Sequence, residues 1–262
     1  MKDYVEFYEK QDRENVYSAG LEAEKHTFFR VLNNIKKLLK ENNITNPEVL
    51  EIGAGNGRFQ DVFDDYTGID ITENSRKYFH KKYVVIEDGK PYPFKDEEFD
   101  LVFTNAVFEH IPNINLTLKE MIRVAKRGGY IVFNPAWQCR PWAADGYPVR
   151  PYSDFNFFGK IYKATIPIGE NLLFRLSHVM PKRLFFLILF LFNKKFFKNK
   201  LIYIKLKANY EIFWMSDSDA CNSIDPFMAI LYFRANNLEI VNYPTLLKQF
   251  LIRTNEIILR KK

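Results

Sequence analysis

Three carboxylates each close a short apolar run: Glu51 in "VLEIG", Asp70 in "YTGID" and Asp88 in "VVIED". Behind Glu51 stands "GAGNGRF", with Gly53, Gly55 and Gly57 inside five residues. Such a turn admits a ligand close to the backbone. A dinucleotide fingerprint needs glycines at its first, third and sixth positions, the last letting a helix pack closely beneath a pyrophosphate. Here the sixth position is Arg58, so the spacing is acid-x-Gly-x-Gly-x-Gly and supplies no pyrophosphate seat. Asp70, at the C-terminal edge of the next run, can accept two hydrogen bonds from ribose hydroxyls. Asp88 can accept one from an adenine amino group, or it is a solvated acid of the turn "EDGKPYP".

A second set of residues could move a proton. His110 in "NAVFEHIP" has an imidazole suited to general base work, with a backbone-bonded structural histidine as the alternative. Glu109 beside it reads as a solvated or structural neighbour. The stretch "SDSDACNSIDP" offers Asp217 and Asp219 to orient or deprotonate a hydroxyl and Asn222 to bind beside them, or else it is a capped loop of small turn residues. No third ligand stands out beside the two aspartates, so no metal site is read here. Trp137, Arg140, Trp142, Arg150 and Tyr152 supply the aromatic platforms and guanidinium groups of a pocket for a sugar, nucleotide sugar or phosphorylated small molecule. The same rings could instead pack an insertion onto its domain.

These residues need a scaffold. Apolar positions between Gly20 and Asn42 recur at helical spacing, and after Pro47 short β-rich runs alternate with helical or turn-rich stretches, which implies a parallel sheet. Asp225 before Pro226 reads as a helix N-cap and first turn. Residues 135–224, rich in Pro and aromatics and then apolar and basic, read as an insertion between the fifth strand and that helix. A chain of 262 residues at 47% hydrophobic fits one such domain.

The net charge of +6 belongs to one segment. Nine Lys or Arg and no acid lie between Asn171 and Tyr210, and removing those nine leaves 29 basic against 32 acidic residues. The bases flank a solid apolar block instead of interleaving with aromatics along a groove, which argues against nucleic acid. Leu184–Phe192 is about half of the roughly 20 residues that cross a bilayer. With Lys194, Lys195, Lys198 and Lys200 it suits peripheral contact with an anionic membrane through residues 183–200; the alternatives are an insertion core or a homodimer contact. Two cysteines, Cys139 and Cys221, are too few for a disulfide framework, and the charged N-terminus lacks the apolar core of a secretory signal. The expectation is a cytoplasmic protein, at most peripheral at the inner face of the membrane.

Taken as a set, "VLEIGAGNGRF", "GIDIT", "EDGKPYPFKDEEFDLVFTNAVFEHIPN" and "LKEMIRVAKRGGYIVF" resemble the class I S-adenosylmethionine-dependent methyltransferases of the type 11 group, over Glu48 to Asn134. The resemblance implies an α/β, Rossmann-like seven-stranded sheet with helices on both faces, one strand antiparallel, and S-adenosylmethionine as cofactor. It implies that Glu51 and the backbone of Gly53, Ala54, Gly55 and Gly57 approach the methionine part. Asp70 would hold the ribose, Ile71 would pack on adenine, Asp88 with Gly89 would reach its edge, and Asn105 would close the methionyl end. "KRGG" departs from the family's usual proline before paired glycines. The insertion resembles type 11 members of bacterial surface-polysaccharide clusters, which implies a carbohydrate-type acceptor methylated at oxygen. The expected organisation is 1–45 as a helical region covering the cofactor site, 46–134 and 225–262 as core, and 135–224 as a substrate-binding cap.

Overall fold

The computed structural model describes residues 2–10 and 21–262; residues 1 and 11–20 of the expected N-terminal region lie outside the described residues. Helix α1 is Lys2–Lys10 and α2 is Leu21–Glu41. The i, i+3, i+4 spacing of Val31, Ile35 and Leu38 puts them on one side of α2, where they are buried. They pack on Val49, Leu101, Phe103, Tyr130, Val132 and Ile258 from one face of the central sheet.

That sheet contains β1 (Val49–Ile52), β2 (Tyr66–Asp70), β3 (Lys82–Val85), β4 (Phe99–Asn105), β5 (Ala125–Asn134), β8 (Leu238–Ile240) and β9 (Ile257–Lys261). Its order is β3-β2-β1-β4-β5-β9-β8, with β9 antiparallel to both neighbours. It is the seven-stranded Rossmann-like sheet. The strand order reverses between β1 and β4, and in open α/β sheets ligands bind beyond the carboxyl ends of strands at that point. Glu51 and Asn105 lie there.

The opposite face, including Leu50, Ile52, Val102 and Phe133, packs on α3 (Ile114–Val124) and α7 (Pro226–Ala235). Nearly every side chain of α7 is buried, as for a helix that is apolar all round and sandwiched between layers. Asp225 caps it, accepting from the Phe227 amide.

Between β5 and α7 the chain forms α4 (Phe157–Glu170), α5 (Leu172–Phe192), α6 (Lys194–Lys198) and a short ladder of β6 (Ile204–Lys205) with β7 (Asn222–Ser223). Asn156 and Asn171 cap α4 and α5 with their side chains. Arg183 ties this insertion to the core. It is 2% exposed, donates to the Asp225 carboxylate, and reaches the Phe250 and Ile252 carbonyls. Within the segment 183–200 read as suited to membrane contact, Arg183 is thus taken up by a partly buried ion pair. Among the described residues no helix is long and apolar enough to cross a membrane.

Candidate active site

Two cavities meet at Gly53. The larger, about 460 Å³, is lined by Glu51, Gly53, Ala54 and Gly55 of the glycine turn, Asn105 and Asn134 at the ends of β4 and β5, and Trp137 and Asp217 of the insertion. The smaller, about 50 Å³, is bounded by Gly53, Asp70, Ile71, Asp88 and Gly89, and by Tyr4 of α1. The parallel register that sets Glu51 beside Gly68 and Phe103 brings these strand ends together.

The glycine turn is held open by its own backbone. Gly53 has φ +70, and a Cβ there would lie 2.4 Å from Val107 Cγ2. Gly55 donates its amide to Asp70 Oδ2 at 2.9 Å, and Ile71 donates to Oδ1 at 2.8 Å, so Asp70 is locked to the turn. Gly57 is a correction. It lines neither cavity, and a Cβ there would meet Gln60 and Phe79, so its glycine serves the packing of the turn.

Glu51 is buried and accepts from the Tyr66 hydroxyl. Burial pushes its carboxyl up to about 8, against the lowering effect of that hydrogen bond; the Asp70 charge adds to the rise. A cationic group in the larger cavity would relieve this cost. Burial likewise raises Asp88. Asn134 donates to Asn105 Oδ1 at 2.7 Å, while its own Oδ1 and Trp137 Nε1 are buried without partners among the described residues. Buried polar atoms are ordinarily satisfied, so an acceptor and a donor on this wall suit a polar ligand. A cation-seeking acid at one end, and Asp70 at a strand end with Asp88 in the turn after β3 at the other, fit S-adenosylmethionine, with its ammonium and sulfonium charges and its nucleoside.

The insertion returns its acids to the same edge. Cys221 and Asn222 donate backbone amides to the Glu109 carbonyl, which fixes the His110 loop. His110 Nδ1 lies 3.3 Å from Asp219 Oδ2 and Nε2 lies 3.6 Å from Glu109 Oε1. Burial would lower the imidazole, but the Asp219, Glu109 and Asp217 charges prevail and it is raised. Of the three residues expected to be catalytic, only Asp217 lines the larger cavity; His110 brings a ring nitrogen within 4.8 Å of an Asp217 oxygen and lies against Asp219. Asp217 is raised by burial, lowered by His110 and raised by Asp219.

Several expectations are revised here. Glu109 is not solvated: it has no exposed surface, its oxygens make no hydrogen bond among the described residues, and burial pushes it up to about 7 despite His110. One ligand atom each from Glu109, His110 and Asp217 lie within 4.8 Å of one another, a set able to hold a metal ion that differs from the Asp217 and Asp219 pair weighed from the sequence and leaves Asp219 out. Asn222 faces no cavity among those described. It is buried and donates to the Phe108 and Ile111 carbonyls, holding the loop. Of the expected acceptor pocket, only Trp137 lines the large cavity. Arg140 lies over Trp142, Tyr152 is half exposed, and Arg150 borders a separate surface cavity of about 730 Å³ with its guanidinium over Trp214.

Tyr4, Tyr8, Tyr66 and Asn134 escaped sequence reasoning. Tyr8 donates to Asp219, and Glu9 accepts from the Glu73 and Asn74 amides, so α1 lies across the site from the insertion to the end of β2. The expected helical cover over residues 1–45 named none of these side chains; for Glu109, its position beside His110 in an apolar stretch was the available signal.

Residues 50–133 match the family model for a methyltransferase domain. That segment holds Glu51, Asp70, Asp88 and His110; Asp217 and Asp219 lie outside it. Over 133 residues the chain is 36% identical to an uncharacterized protein of Methanocaldococcus jannaschii, covering 49% of this chain and 57% of the other. Over 127 residues it is 28% identical to phthiotriol/phenolphthiotriol dimycocerosates methyltransferase 1 of Mycobacterium ulcerans, covering 42% and 47%. The chain thus spans about half the length of these curated relatives. A solved SAM-dependent methyltransferase from Aquifex aeolicus shares 22% identity over 40% of this chain and 65% of its own, with a TM-score of 0.33.

Proposed function

We propose that the protein transfers a methyl group from S-adenosylmethionine to a hydroxyl of a small, carbohydrate-type acceptor. The observation that carries this is the junction at Gly53 of a cavity containing Glu51 with one bounded by Asp70 and Asp88. When bound, the cofactor supplies a sulfonium-activated methyl group. Glu51 would face its cationic end and Asp70 its ribose, with Asp88 and Gly89 at the adenine edge. The chain's own work is to align the acceptor, exclude water and remove a proton.

Asp217 is the acceptor-facing base in this proposal, because it borders the cavity and its raised carboxyl holds a proton more strongly than an ordinary aspartate. His110, held near Asp219, is its positioning partner. The apolar insertion and the lipid named in the Mycobacterium ulcerans relative favour a second reading, a lipid-linked or lipid-precursor acceptor. The association with surface-polysaccharide clusters belongs to the first.

Calorimetry with S-adenosylhomocysteine and NAD tests the cofactor, the former binding and the latter not. Mass-shift screening with labelled cofactor across nucleotide sugars, glycan fragments and lipid-linked sugars tests the acceptor. Methyl transfer to none of the sugar-bearing acceptors, with transfer to a sugar-free lipid, overturns the carbohydrate reading.

A further inference from the structure

Helices α4 and α5 are neighbours that turn large apolar side chains outward. Phe158, Leu173, Leu191 and Phe192 are 78, 76, 70 and 87% exposed. On α5, Leu173, Leu184, Ile188 and Leu191 share one side, roughly 100° round the helix axis from buried Arg183 and Phe190. A helix of a water-facing surface ordinarily turns polar side chains outward, whereas α5 turns Leu and Phe side chains outward together with Ser177, His178 and Lys182. Scattered apolar residues on a surface need no explanation, but a contiguous patch marks a contact.

Charge says what covers it. No acid stands between Asn171 and Tyr210, whereas Lys182, Lys194, Lys195, Lys198 and Lys200 are exposed along or just beyond α5. A partner with an apolar interior and an anionic surface satisfies both features. The Arg183–Asp225 pair pins the middle of α5 to the core, so the helix can lie on such a surface but not enter it end-on.

We propose that the outward face of α4 and α5, rimmed by the α6 lysines, docks on an anionic membrane surface. The contact starts at α4, well before residue 183. It depends on the exposed face alone and would stand whatever the acceptor of methyl transfer.

Flotation of the whole chain with phosphatidylcholine vesicles, with and without phosphatidylglycerol, tests it in the absence of cofactor, so this result is separate from that of cofactor binding. The expected result is binding to the anionic vesicles that weakens with salt. Lys194→Gln, Lys195→Gln and Lys198→Gln together should lower partitioning by about fivefold per lysine. Leu184→Glu with Leu191→Glu should abolish it while circular dichroism stays unchanged; if that variant fails to fold, the salt dependence and the lysine variant decide. Absence of wild-type binding overturns the proposal. So does a dimer, seen by light scattering, that the glutamate variant splits in a protein without affinity for vesicles, which would assign the face to a second copy.

Discussion

His110 Nδ1 and Asp219 Oδ2 lie 3.3 Å apart although 109 positions separate them in sequence. The amides of Cys221 and Asn222, both donating to the Glu109 carbonyl, bring them together. The acid that faces His110 is therefore supplied from outside the segment that matches the methyltransferase family model. His110 is raised by its acids and in turn lowers Asp217, so the two groups titrate as neighbours.

If Asp217 is the base, turnover rises with pH as its carboxyl ionises. Removing the cation at His110 leaves Asp217 higher still, so His110→Ala should move the acid limb of the kcat/KM profile to higher pH. Asp217→Asn should lower kcat about 10²- to 10⁴-fold at every pH with little change in S-adenosylhomocysteine affinity. An unshifted limb in His110→Ala, or wild-type turnover in Asp217→Asn, refutes the assignment.

Glu51 gives a stability test with a definite sign. Its folded-state carboxyl is near 8 and its unfolded value near 4.5, so the folded protein binds the extra proton between them and loses stability as pH rises through that window. Glu51→Gln should flatten that loss and raise Tm most at pH 8. It should also weaken S-adenosylhomocysteine, whose ammonium would lose a carboxylate partner. A variant less stable than wild type at pH 8 contradicts the buried-acid account.

Arg183 and Asp225 form a partly buried pair with further bonds to carbonyls, so truncating Arg183 alone leaves both sets unpaired. Arg183→Ala should cost about 3–5 kcal/mol in urea unfolding. Arg183→Met with Asp225→Asn should recover part of this, since Asn retains capping ability. Equal losses in the two variants would show that the charge pairing is immaterial.

The sheet and the glycine turn were legible because strand periodicity and a strand-end acid are local signals. Glu51, Asp70 and Asp88 could be placed on one edge without knowing what lay opposite. The insertion was less so. Arg140, Trp142 and Asn222 have side chains as suited to packing as to binding, and only the fold decides which atoms are already used. Arg183 could not be told apart from the other bases of its segment because its partner, Asp225, is 42 residues away. Asp225 had been read correctly as a cap, and it performs both tasks.

Tyr4 sets the last expectation. It is buried against the cavity that Asp70 and Asp88 bound, and the remaining 50 Å³ falls well short of the roughly 300–1,000 Å³ of sites that hold small molecules. A nucleoside therefore competes with this ring for space. Tyr4→Ala removes the obstacle without touching either aspartate, so S-adenosylhomocysteine should associate faster in stopped-flow fluorescence. Tyr4→Phe, which keeps the ring and drops the hydroxyl, should associate at the wild-type rate. If the alanine variant binds no faster than wild type, α1 does not gate the nucleoside end and the cofactor enters through the larger cavity.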